Sequence, residues 1–156
     1  MIVLDINALT LIFDSKNINH MEFRPVLYWV LNNKRACFIF GGTKYRNELM
    51  KMTRYHKIMN EFKKTGKCIE INAQKIDVNA KQLKKICKDD VFDDEHIIAI
   101  LNISRCKLVC TKDIKSIPYI KRKEFYSDHK IPKIYSSSKN KYLLNKKNLV
   151  ELKNKC

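Results

Sequence analysis

Five acids, Asp89, Asp90, Asp93, Asp94 and Glu95, crowd into seven residues of a chain whose 32 lysines and arginines outnumber its 16 acids. Capping the helix that follows would use one or two of them, since a carboxylate at a helix N-terminus meets free N–H groups and gains about 0.3–1 kcal/mol. The others need another reason. Asp5 and Asp113 each follow a short apolar run, Ile2-Val3-Leu4 and Leu108-Val109-Cys110, the pattern of a buried parallel strand that delivers its next residues to the edge of a sheet. Glu48 lies a few residues beyond a third such run. Carboxylates held a few ångströms apart repel, so such a cluster takes up protons or encloses a cation. Mg²⁺ or Mn²⁺ suits an all-oxygen ligand set and needs no cysteine or histidine.

The elements that must bring these acids together can be read from the same pattern. After the first strand, Met21 to Asn33 is dense enough in apolar residues for a buried helix, with Pro25 in its first turn. Ala36 to Phe40 is a second buried run closed by Gly41-Gly42, and Thr43 is placed to cap one long amphipathic helix reaching about Lys64, ended by Gly66. A third strand, Cys68 to Ile71, leads to a helix from about Ile76 to Lys88, with Leu83, Ile86 and Cys87 on one face. An apolar helix, Ile97 to Ile103, precedes the strand Leu108 to Cys110, and a fifth strand is expected at Lys133 to Tyr135 before a basic helix or two. Alternating strands and helices predict an α/β fold of three layers, α/β/α, around a mostly parallel five-stranded sheet. Right-handed crossovers place the loops after each strand, and hence Asp5, Glu48, Asp94 and Asp113, on one common edge.

The chain of 156 residues, 45% apolar, is the size of one domain with one core, here about residues 1–136 followed by a basic tail of about 137–156. The net charge of +16 concentrates polyanions and makes nucleic acid the expected partner. No apolar run reaches the ~18 residues that would cross a bilayer, and the opening residues lack a signal peptide's basic start, so a cytoplasmic location is expected. The six cysteines, Cys37, Cys68, Cys87, Cys106, Cys110 and Cys156, lack zinc-ligand spacing and read as reduced and mostly buried. Three glycines offer neither a phosphate-binding loop nor a nucleophile elbow, which argues against a phosphatase or a flavodoxin-like mononucleotide binder.

Four segments taken in order, Ile-Val-Leu-Asp5-Ile-Asn7, Gly41-Gly42-Thr43-Lys44-Tyr45-Arg46-Asn47-Glu48, Asp94-Glu95-His96-Ile97-Ile98-Ala99 and Leu108-Val109-Cys110-Thr111-Lys112-Asp113, resemble the PIN-domain ribonucleases across residues 1 to about 118. The resemblance implies a PIN-like fold and a Mg²⁺- or Mn²⁺-dependent endoribonuclease with Asp5, Glu48, Asp94 and Asp113 as catalytic metal ligands. Asp93 is the alternate third ligand; Asp94 fits the family's spacing to the Ile-Ile-Ala helix better. The family also implies a toxin-type enzyme with a cognate antitoxin, or a stand-alone RNA-processing member, and it admits a homodimer. One or two ions would activate water and stabilise the leaving 3′ oxygen, giving 5′-phosphate products. A non-catalytic RNA- or DNA-binding PIN-like protein is the alternative.

Around these acids, Asn7 and Thr111 are placed to orient a ligand carboxylate or water by hydrogen bonds. Lys44, Arg46, Lys51 and Arg54 could grip phosphates, and Tyr45 and Tyr55 could stack on single-stranded bases. His96 could pass for a general base, but at the start of an apolar helix it reads as a packing or capping residue.

Overall fold

A computed structural model of the chain describes residues 1–126 and 130–149; the last part of the expected tail, 150–156 with Cys156, lies outside the described residues. Five strands, β1 (Ile2–Leu4), β2 (Phe38–Gly41), β3 (Cys68–Ile71), β4 (Leu108–Cys110) and β5 (Lys133–Tyr135), form one sheet in the order β3-β2-β1-β4-β5, every pair parallel. The central strands β1 and β4 are wholly buried, as expected for apolar runs covered on both faces. Val3 is in register with Ile39 on one side and Val109 on the other. The chain builds outward from β1 through β2 to β3, then returns to β1's opposite side with β4. Strand order therefore reverses between β1 and β4, and ligands of open α/β sheets bind outside the carboxyl ends of the strands at such a reversal.

Helices α1 (Ala8–Phe13), α2 (His20–Asn32) and α4 (Thr53–Lys64) pack with one another on one side of the sheet, while α5 (Ala73–Ile86) and α6 (Glu95–Ser104) pair on the other, giving three α/β/α layers. Sequence patterning passes over α1, which is too short for a periodic signal, yet Ala8, Leu9, Leu11 and Ile12 are all buried. In α2 the apolar residues divide: Phe23, Val26 and Val30 face the core, whereas Met21, Tyr28 and Leu31 are exposed, so the helix is amphipathic rather than buried. Because it starts at His20, Pro25 falls in its second turn, where the missing N–H costs one intrahelical bond.

The expected long helix is two. α3 (Thr43–Lys51) and α4 meet at Met52, whose φ −105° and ψ 67° leave the helical region. α3 buries Tyr45 and Leu49 and reaches β2 and α5, while α4 buries Tyr55 and Met59 against β3 and α1. One straight helix could not serve both groups of partners. Thr43 does not cap either: its N–H and hydroxyl both donate to Asp77 of α5, at 2.9 and 2.5 Å, so the cap of α3 is supplied from 34 residues away. Gly42 stands before it at φ 84°, and a Cβ there would meet Ile76 Cγ2 at 2.7 Å, which is why the turn out of β2 takes glycine.

α5 begins three residues earlier than its apolar spacing indicates, because the Asn72 side chain accepts from the Lys75 N–H and caps it. Leu83 and Cys87 are buried but Ile86 is 56% exposed, off the face assigned to it. Beyond β4 come a short α7 (Ser116–Ile120) and 3₁₀ turns at Lys123–Phe125, Ser138–Leu143 and Lys146–Asn148, in place of the basic helices expected after β5. The tail is fastened to the domain: Glu22 Oε2 on α2 accepts from the Ser138 N–H at 2.8 Å and its hydroxyl at 2.6 Å, and Leu143 and Asn148 are buried. Cys37, Cys68, Cys87, Cys106 and Cys110 are free thiols, all buried. Among the described residues no helix is long and apolar enough to cross a membrane.

Candidate functional site

Each acid reaches the carboxyl edge for a topological reason. Asp5 and Asp113 lie just past β1 and β4, the strands on either side of the reversal. α3 leaves from the same edge after β2, carrying Glu48 in its second turn. α6 must run back down the sheet before β4 can start, so its N-terminus, with Asp94 at the N-cap, opens on that edge as well.

Asp5 is 3% exposed, and its Oδ2 accepts from the Thr111 hydroxyl at 2.6 Å. The same Thr111 oxygen accepts from the Asp113 N–H at 3.0 Å, so one fully buried hydroxyl ties the loop after β4 to the acid after β1. Asp5 Oδ1 faces the backbone N–H of Asn7 at 3.4 Å; Asn7 contributes main chain there, and its residue is exposed. Asp113 is held by its own loop, with Oδ1 accepting from the Lys115 N–H at 2.8 Å and its carbonyl from the Ser116 hydroxyl at 2.9 Å.

The acids feel one another. Burial raises the Asp94 carboxyl to about 7, reinforced by Asp5, Asp93 and Asp113 and opposed by Lys44. Glu48 is raised by burial, with Asp5 and Asp93 adding to the effect and Lys44 and Lys51 opposing it. Asp5 is raised by burial and by Asp113, against the hydrogen bonds from Thr111 and Asn7. Asp94 is the half-buried member of the adjacent pair and feels both strand-end aspartates, whereas Asp93 is exposed. That arrangement favours Asp94 over Asp93 as the inward acid.

Among the described residues no three His, Cys, Asp or Glu side chains stand close enough together to hold a metal ion. The carboxylates are near enough to raise one another's pKa but are spread wider than a coordination shell. Their donor chemistry, all carboxylate oxygen around uncompensated negative charge, suits a hard divalent cation.

The flanking cations behave differently from expectation. Lys44 does not reach outward to phosphate: its ammonium binds the Asp93 carbonyl and stands 3.4 Å from Glu95 Oε1, stapling α3 to the start of α6. Arg46 is paired with Glu70 at 2.7 Å, and Arg54 lies 3.9 Å from Asp14 and over the Tyr55 ring. Lys51 is exposed on α3. Tyr45 is fully buried and Tyr55 is 8% exposed, so neither can stack on a base. Tyr45 instead packs 5.4 Å from the Phe40 ring and 6.5 Å from that of His96.

Close to the acids lies a set of buried polar atoms, of which sequence patterning placed only His96 in the interior. The Tyr45 hydroxyl, Glu95 Oε2 and both His96 ring nitrogens are buried with no hydrogen-bond partner among the described residues. Burial and the Lys44 charge press His96 down to about 4, so it is a neutral, packed ring near neutral pH, as its place at the start of an apolar helix suggested. Nothing in the local sequence marks Tyr45 as buried; its position in the first turn of a surface-looking helix hides its contact with the sheet.

No protein-family model matches this chain, and no curated protein or solved structure is detectably similar to it.

Proposed function

We propose that the protein is a divalent-metal-dependent nuclease of PIN type, an endoribonuclease that hydrolyses phosphodiester bonds of RNA. The observation that carries this reading is the convergence of Asp5, Glu48, Asp94 and Asp113 from four separate segments at the strand-order reversal, with Asp94 raised to about 7. Evolution tolerates buried like charges where they have a task, and perturbed carboxyls at such an edge are the sign of one. Asp5, Asp94 and Asp113 would hold Mg²⁺ or Mn²⁺, with Glu48 completing the shell directly or through water. Bound there, such an ion lowers the pKa of water toward neutrality and stabilises charge on the phosphoryl oxygens. Thr111 keeps Asp5 turned toward the Asp113 loop, and Lys44 holds the α6 N-terminus, and so Asp94, against α3. In this reading the protein acts on RNA in the cytoplasm, and a toxin role with a cognate antitoxin, or a homodimer, would be additions to the same site.

The test is purified protein with Mn²⁺ and a mixed RNA. Cleavage to 5′-phosphate ends, abolished by EDTA and by Asp5→Asn and Asp113→Asn, is expected. Undiminished cleavage in both variants removes these residues from catalysis. Binding of RNA with no cleavage in any divalent ion would leave a non-catalytic nucleic-acid-binding protein.

A further inference from the structure

A groove of about 710 Å³ runs along the free side of the edge strand β5, between α7 and the 3₁₀ turn Ser138–Leu143. Lys121, the residue after α7, and Lys133 of β5 line it, together with Ile131 and Tyr142, and none of its lining residues is acidic. Tyr142 is 72% exposed and Ile131 40%, so an aromatic ring and a large aliphatic side chain are both open to a ligand within the one groove. Both lysines are exposed, and among the described residues neither has an acidic partner, whereas Lys44, Arg46 and Lys63 are all engaged with acids. The groove also meets the candidate site through the chain. α7 starts three residues after Asp113, and Ser136, at the groove's upper end, follows the residue whose carbonyl accepts from the Thr111 N–H at 3.1 Å.

We propose that this groove is a track for single-stranded nucleic acid, with Tyr142 and Ile131 receiving bases and Lys121 and Lys133 the phosphates between them. Ammonium groups with no acidic partner among the described residues, lining one groove with an exposed ring and an aliphatic surface, match the two faces of a single strand, charged backbone and stackable base. A protein segment filling the same groove would bury Lys121 and Lys133 without neutralising them unless it brought its own acids. The choice of polyanion rests on the nuclease reading of the acidic site, but binding in the groove requires no metal.

The experiment uses fluorescence anisotropy of a short labelled single-stranded RNA, in EDTA so that no cleavage occurs, across a series of salt concentrations. Tyr142→Ala should weaken binding about tenfold, the loss of one stacked base, and leave the salt dependence unchanged. The double variant Lys121→Ala/Lys133→Ala should lower the slope of log affinity against log salt by about 1.4, two phosphate contacts on a single strand. A duplex of the same sequence, whose bases are stacked already, should be insensitive to Tyr142→Ala. Wild-type affinity and slope in both variants, or equal weakening of single strand and duplex by Tyr142→Ala, would overturn the proposal. Loss of binding in the variants without cleavage by the wild type with Mn²⁺ keeps the groove and removes the nuclease. Cleavage with binding untouched does the reverse.

Discussion

Replacing Asp94 by Asn should stabilise the metal-free protein. Asp94 enters folding with an ordinary carboxyl near 3.8 and ends near 7, because burial and the charges of Asp5, Asp93 and Asp113 disfavour its ionised form. A folded-state pKa above the unfolded one means that the folded protein binds the extra proton; the contribution of Asp94 to stability is then fully present below about 4 and is lost as pH rises through about 7. For a fully buried carboxyl that gap would amount to about 4 kcal/mol at 1.36 kcal/mol per pH unit. The carboxyl is only half-buried, so solvent screening reduces the expected gain for the variant to roughly 1–2 kcal/mol at pH 8. For a domain of this size that is a rise of about 3–8 °C in Tm. The assay is thermal or urea unfolding in EDTA at pH 5 and pH 8. Wild type should lose stability between the two, and the Asp94→Asn variant should lose less, so that its advantage grows with pH. Adding Mn²⁺ should then raise the Tm of the wild type and raise that of the variant less. A variant less stable than wild type at pH 8, or an advantage independent of pH, would refute the claim that these carboxylates repel one another.

Two other expectations concern the supports of the site. Thr111→Val keeps the shape but strands Asp5 Oδ2 and the Asp113 N–H, so thermal unfolding should show a loss of about 1–3 kcal/mol. Calorimetric Mn²⁺ affinity should fall roughly 10–100-fold, as when a ligand's orienting partner is lost; unchanged values of both would make the hydroxyl incidental. Tyr45→Phe removes a buried hydroxyl that has no partner among the described residues, and should be neutral or stabilising by about 1 kcal/mol. A clear loss of stability in urea unfolding would mean that the hydroxyl is satisfied in solution after all.

Periodicity and run length in the sequence were sufficient for the strands and for the parallel α/β order, because a strand buried on both faces must be apolar throughout, as Ile2–Leu4 and Leu108–Cys110 are, each followed at once by a polar residue. The same patterning placed Asp5 and Asp113 at one edge, since position along a parallel strand determines which edge a following residue meets. It could not show which cations are free. Lys44 and Arg46 look like any basic helix face, and only packing of α3 against the start of α6 and against β3 supplies Glu95, the Asp93 carbonyl and Glu70 to hold them. Nor could it show that residues 43–64 divide at Met52, that Asp77 caps α3, or that the tail is clasped by Glu22, because each depends on partners at least 34 residues away or on the division of one segment between different neighbours. Local sequence determines what a segment can bury; which charges cancel and which stay exposed is decided only when distant segments are brought into contact.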